Sequence, residues 1–125
     1  MSDLSSTIDT HLAAYAEPDP ARRDQLISGA WAEDGELIDP PIDGRGHAGI
    51  SEAAATLQSH YPGHTFRRTT GIDEHHAFAR YEWELVGPDG AVAVAGLDVA
   101  EVDDTGRLCR IVGFLGPLPA ERPSG

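Results

Sequence analysis

The hydrophobic period changes once along this chain, near residue 64. Upstream, apolar side chains recur every three or four residues; downstream, they alternate. A chain that spends its first half on helices and its second on consecutive strands is confined to an α+β arrangement, with the helices on one face of a sheet. At 125 residues it is expected to form one domain, residues 1–125, with room for a real core.

The first helix is predicted over Ser5 to Ala16, with Ile8, Leu12 and Tyr15 on one face, His11 beside them, and a capping box formed by Ser6 and Asp9. Glu17-Pro18 ends it. Asp19-Pro20 opens a second helix, whose buried side is Leu26, Ile27, Ala30 and Trp31 and which Glu33-Asp34-Gly35 stops. Glu36 to Asp39 reads as a short strand closed by Pro40-Pro41, and Ile42 to Arg45 as a loop. A third helix runs from about Gly46 to His60, where Pro62-Gly63 stops it; Ile50, Ala54, Leu57 and Tyr61 share its apolar face.

Four strands are predicted after that, over His64–Ile72, His75–Val86, Ala91–Val102 and Arg107–Leu115, joined by turns at Asp73-Glu74, Gly87-Pro88-Asp89-Gly90 and Asp103 to Gly106. Hairpin connections imply one curved antiparallel sheet, with Gly96 and Gly113 permitting sharp bends. The Pro-Ser-Gly tail is expected to fray.

The formal charge of -12, with nine arginines and no lysine, would repel a phosphate backbone, so nucleic acid is not an expected partner. Cys109 is the single cysteine, so no intrachain disulfide is expected, which suits a cytoplasmic protein; no apolar run is long enough to suggest a membrane span. The six histidines lack the spacing of a metal site: Pro62-Gly63 separates His60 from His64, and His75 and His76, adjacent on a strand, should point to opposite faces. Neither a metal nor a cofactor is expected, and no nucleophile motif, phosphate loop or dinucleotide fingerprint occurs.

The segments WAEDGELIDP, GRGHAGISEA, HHAFARYEWELVGPDG and GLDVAEVDDTGRLCRIVGF, spread over nearly the whole chain, resemble the NTF2-like superfamily and its SnoaL-like group. The resemblance implies a cone in which three N-terminal helices pack on the curved sheet. It also implies a mouth that holds a small apolar organic ligand, and homodimers formed through the sheet. That fold hosts isomerases, cyclases, dehydratases, epoxide hydrolases and non-catalytic binding subunits, so it implies no single reaction.

Two carboxylates carry the candidate chemistry. Asp39, before two prolines, is either a turn former or a general base on the pocket wall. Asp98 interrupts the apolar run from Ala91 to Ala100. It either turns outward, to solvent, Arg80 or Arg110, or is buried, where desolvation raises its pKa and it must be paired or protonated. If both enter one pocket, their environments can set one as base and the other as a protonated donor. The segment GLDVAEVDDTGRL resembles the one bearing the protonated aspartate of ketosteroid isomerase, which implies that role for Asp98; LIDPPIDGRGHAGI resembles the one bearing its base, which implies Asp39. The third member of that site is a tyrosine on the first helix, here Tyr15, or His11 if the register shifts by one turn. Trp31, Tyr81, Trp83, Ile111, Leu115 and His47 are expected to line the ligand site, His47 within reach of Asp39.

Three functions fit these residues: a cofactor-independent acid–base isomerase acting on a small apolar carbonyl compound; a cyclase, dehydratase or epoxide hydrolase, the last favoured by an inward Arg80; or a non-catalytic ligand-binding or dimerising domain, favoured by an outward Asp98.

Overall fold

The computed structural model describes residues 4–121. The expected fraying of Pro123-Ser124-Gly125 lies outside them. Three helices, α1 (Leu4–Ala14), α2 (Pro20–Ala30) and α3 (Gly46–His60), cover one face of a sheet. Its strands are β1 (Trp31–Asp39), β2 (Ile42–Arg45), β3 (Thr65–Arg68), β4 (Asp73–His75), β5 (Phe78–Val86), β6 (Val92–Val102) and β7 (Leu108–Leu115), in the order β2-β1-β7-β6-β5-β3, with β4 also on β5. No helix among the described residues is long and apolar enough to cross a membrane.

The helices follow their apolar spacing. In α1, Ile8, His11 and Leu12 are buried, and Tyr15 follows just beyond its end. The capping box is not formed: Ser6 is already inside the helix, and Asp9 instead pairs with Arg68 of β3 at 3.0 Å. Helix α2 opens on Pro20, as expected, but ends at Ala30; Trp31 is already extended, with φ -111 and ψ 143. The buried Arg23 ties the start of α2 to the chain before it, donating from Nε to the Glu17 carbonyl at 3.0 Å.

Two strands were hidden from pattern reading. β1 is nine residues long because Trp31 pairs with Leu108 and the register then slips before Glu36 resumes with Arg110. The exposed Glu33 and Asp34 fall in that slip, which is why they look like a helix stop. Ile42 to Arg45 is a strand, not a loop: Pro40 and Pro41, joined by a cis bond, turn β1 back so that Asp39 pairs with Ile42. The predicted strand over residues 64–72 is reduced to β3, and β4 forms where a turn was expected at Asp73-Glu74; both run antiparallel to β5.

The sheet is mixed rather than purely antiparallel, since β1 runs parallel to β7. A parallel neighbour needs a long crossover, and here residues 40–107, more than half of the chain, separate the two strands. This pairing brings the end of β1, with Asp39, alongside β7. The β5–β6–β7 meander places Ala79, Tyr81, Trp83 and Leu85 on the helix-covered face and Arg80, Glu82 and Glu84 toward solvent.

Candidate functional site

Asp39, Gly113, Asp98 and Tyr81 fall in one row across four neighbouring strands of the inner face. Asp98 faces Gly113 in one direction and Tyr81 in the other. Ile38 pairs with Val112, so the next step of that parallel ladder brings Asp39 beside Gly113. The missing side chain at 113 is what lets Asp39 lean inward. A Cβ built there would stand 2.7 Å from the Asp39 Cγ and 2.8 Å from each of its oxygens. Gly96 plays the same part for Trp83, whose Cζ2 would lie 2.5 Å from a Cβ at 96. The indole leans into that space and reaches Asp98. These two glycines act as holes in the inner face.

Both acids are buried, Asp39 to 8% exposure and Asp98 to 3%. Asp98 is well supplied with donors: Tyr81 Oη donates to its Oδ2 at 2.7 Å and Trp83 Nε1 to its Oδ1 at 2.9 Å. Burial raises its pKa to about 6, while the two donors hold it from rising further. The Asp39 carboxylate accepts no hydrogen bond among the described residues; only its backbone N–H is engaged, donating to Asp43 Oδ1 at 3.1 Å. Burial, then the charges of Asp98 and Asp43, push its pKa to about 7. Both acids thus stand well above the ordinary carboxylate range, and the two donors favour the ionised form of Asp98 while Asp39 has none.

Tyr15 stands over this pair. Its pKa is raised well above that of an ordinary tyrosine, by burial and then by the charges of Asp98 and Asp39, so its hydroxyl feels both carboxylates. The hydroxyl has no hydrogen-bond partner among the described residues. Its ring packs on Phe66 at 4.8 Å between centroids, and Phe66 packs on Trp83 at 5.0 Å, so aromatic rings continue from α1 to the sheet. Gln58 of α3 fixes the backbone here, donating to the carbonyls of Tyr15 at 2.7 Å and Glu17 at 2.9 Å. Nothing in the sequence around Gln58 signals that role.

His11 lies one turn back and meets Trp31 instead of the acids. Trp31 Nε1 donates to His11 Nδ1 at 3.1 Å, and an indole N–H can only donate. The neutral imidazole therefore carries its proton on Nε2, which is buried without a partner among the described residues. Burial lowers the His11 pKa to about 3, so the ring stays neutral. It braces Tyr15 edge-on, with centroids 4.9 Å apart.

The other expected lining residues separate. Tyr81 and Trp83 bond directly to Asp98. Ile111 is fully buried on the same face, and Leu115, opposite Gly96, is 49% exposed at its rim. Trp31 is fully buried core. His47 does not reach Asp39: its Nε2 bonds the Trp31 carbonyl oxygen at 2.9 Å. Arg80 does not point inward either; it sits exposed on the outer face and pairs with Asp73 at 2.8 Å. His75 and His76 do not point apart, because His76 takes a positive φ of 54 and brings the two Nδ1 atoms to 3.1 Å. Among the described residues no three metal-ligating side chains gather.

No protein-family model matches the chain, and no curated protein does. Solved structures do. A SnoaL-like family protein from Agrobacterium tumefaciens, provisionally named an isomerase, superposes with a TM-score of 0.85 at 35% identity, covering 94% of this chain and 100% of its own. A cystatin-like protein of unknown function from Methylobium petroleophilum gives 0.71 at 21% identity over 98% and 81%. A protein from Sinorhizobium meliloti, provisionally named a polyketide cyclase, gives 0.68 at 14% over 87% and 94%. Three helices on a curved mixed sheet are the NTF2-like fold, and these likenesses share it. Within that fold, the chain belongs to the SnoaL-like family.

Proposed function

We propose that this protein is a cofactor-independent acid–base enzyme that moves a proton on a small carbonyl compound with an apolar body. One observation carries the reading: Asp39 is buried beside Asp98 with no protein donor on its carboxylate. A carboxylate serving only as a turn former would be bonded to the backbone around it. This one is left available, with a pKa near 7, where a general base is most effective.

In this reading Asp39 takes a proton from the carbon next to the carbonyl. The C–H electrons move into the new C=C bond and the carbonyl electrons onto oxygen. The Tyr15 hydroxyl, free of protein partners, donates to that oxygen. Asp98, held ionised by Tyr81 and Trp83, keeps Asp39 basic through its charge. Return of the proton to another carbon completes an isomerisation. Aldol ring closure begins with the same deprotonation, so a cyclase would use the same residues.

The outward Arg80 removes the support for an epoxide hydrolase, and the inward Asp98 that for a purely non-catalytic domain. We further propose that two copies meet through the outer face of the sheet, where Phe114 and Ile38 are 57% and 39% exposed beside Val112 and Val99. The deciding experiment is solvent deuterium exchange into small ketones. Asp39→Asn should lower exchange by about 10²–10⁴-fold with ligand affinity kept. Loss of exchange and affinity in equal measure would remove the base role.

A further inference from the structure

Among the described residues no cation pairs with the carboxylates of the site. Among the described residues Arg23 is spent on the Glu17 and Pro18 carbonyls, Arg68 on Asp9 and the Thr70 carbonyl, and Arg80 on Asp73. Arg110 bridges Glu36 and Glu101 on the outer face. His11, the nearest basic side chain on α1, is fully buried, and its Nδ1 accepts the Trp31 N–H. The groups that face the acid pair are otherwise Asp43, itself acidic, and the phenols of Tyr15 and Tyr81. The site thus gathers negative charge in a buried, aromatic setting and leaves one carboxylate wholly unbonded.

We propose that the carbonyl substrate also carries a protonated amino group, held against Asp98 within the negative field of Asp39 and bordered by the rings of Tyr15, Tyr81 and Trp83. A neutral apolar ligand would strip water from Asp39 and return nothing to an ionised carboxylate. An ammonium group replaces that water with an opposite charge. The aromatic arc from Tyr15 through Phe66 to Trp83 adds the electron-rich surroundings that favour organic cations. Asp98 can accept the ammonium while both its donors stay in place, because each carboxylate oxygen has a second lone pair. Asp39 then remains the base.

This inference rests on the acid–base reading for the word substrate, but its test is an equilibrium one. The probes are 3,3-dimethylbutylammonium and 3,3-dimethyl-1-butanol, which share one carbon skeleton and differ in charge. Calorimetry at pH 8 should show the ammonium binding at least tenfold tighter. The preference should shrink toward pH 5 as the acids take up protons, and Asp98→Asn should reduce it several-fold at pH 8. Equal or tighter binding of the neutral alcohol by the wild-type protein overturns the inference, whether or not the variant folds. The two readings fail separately. Exchange that is as fast from a plain ketone as from its amino analogue sinks the ammonium site and leaves the base. Charge preference without exchange from either compound sinks the base and leaves a cation-binding site.

Discussion

The carboxyl group of Asp39 fills the volume that a side chain on residue 113 would take. The base candidate and the glycine come from strands joined only by the parallel pairing of β1 with β7. Gly113→Ala therefore tests position rather than chemistry. The new methyl group meets the end of a side chain that can swing away, so the fold should survive with a loss of about 1–3 kcal/mol. The Asp39 carboxylate would move by about an ångström, and misplacement on that scale costs on the order of 10²-fold in rate. Thermal melting and deuterium exchange on the same sample should show a small shift in the first and a large loss in the second.

Tyr81→Phe removes the donor to Asp98 Oδ2 and leaves the ring. A bond to a charged group is worth about 1.5–3 kcal/mol, so melting at pH 8 should show a loss of that size. The pH profile is more telling. Without the tyrosine, Asp98 holds its proton more tightly and is neutral over a wider range. Asp39 then loses the neighbouring charge that helped to raise it, so its own pKa falls. The acid limb of kcat/KM should move to lower pH while the plateau drops, because the base is weaker. An acid limb that stays in place would show that the two acids do not act on each other.

How far the sequence reached depends on whether a signal was local. Helix α3 was legible to the residue, because its apolar spacing and Pro62-Gly63 lie within it or beside it. β1 was half legible, because its register slip exposes Glu33 and Asp34 and breaks the alternation. Its parallel partner was not legible, since no residue in either strand announces which way the neighbour runs. Within the site, Asp98 stood out as a charge in an apolar run, but the run left open whether it turned outward or inward. Its bonding was not legible, because that depends on Tyr81 and Trp83 reaching it across a strand, the indole through a space that exists only because residue 96 is glycine. Gln58, whose amide holds the Tyr15 carbonyl from 43 residues away, has no local mark at all.

The outer face yields a prediction about assembly. Phe114 stands exposed there, on the opposite side of β7 from Gly113. Phe114→Glu should place a charge in the centre of the proposed contact, which a paired surface cannot bury without a partner. Sedimentation should show a dimer for the wild-type protein and a monomer for the variant, with the same circular dichroism spectrum. A wild-type monomer at tens of micromolar would remove the proposal.

Asp39 should also make the protein less stable than it could be, in a defined pH window. Its folded pKa, about 7, lies above the ordinary value of 3.8 that it regains on unfolding. Between those values the folded state binds more protons than the unfolded state, so stability falls as pH rises. Below about pH 4 both states are protonated and Asp39 costs nothing. Above about pH 7 both are ionised and the full cost is present, on the order of 2–4 kcal/mol by the size of the shift. Asp39→Asn removes the charge and keeps the shape. It should leave the melting temperature at pH 4 unchanged and raise it at pH 8, with the gain appearing between them. A variant equally stable or weaker at pH 8 would mean that water or a bound cation already compensates the carboxylate.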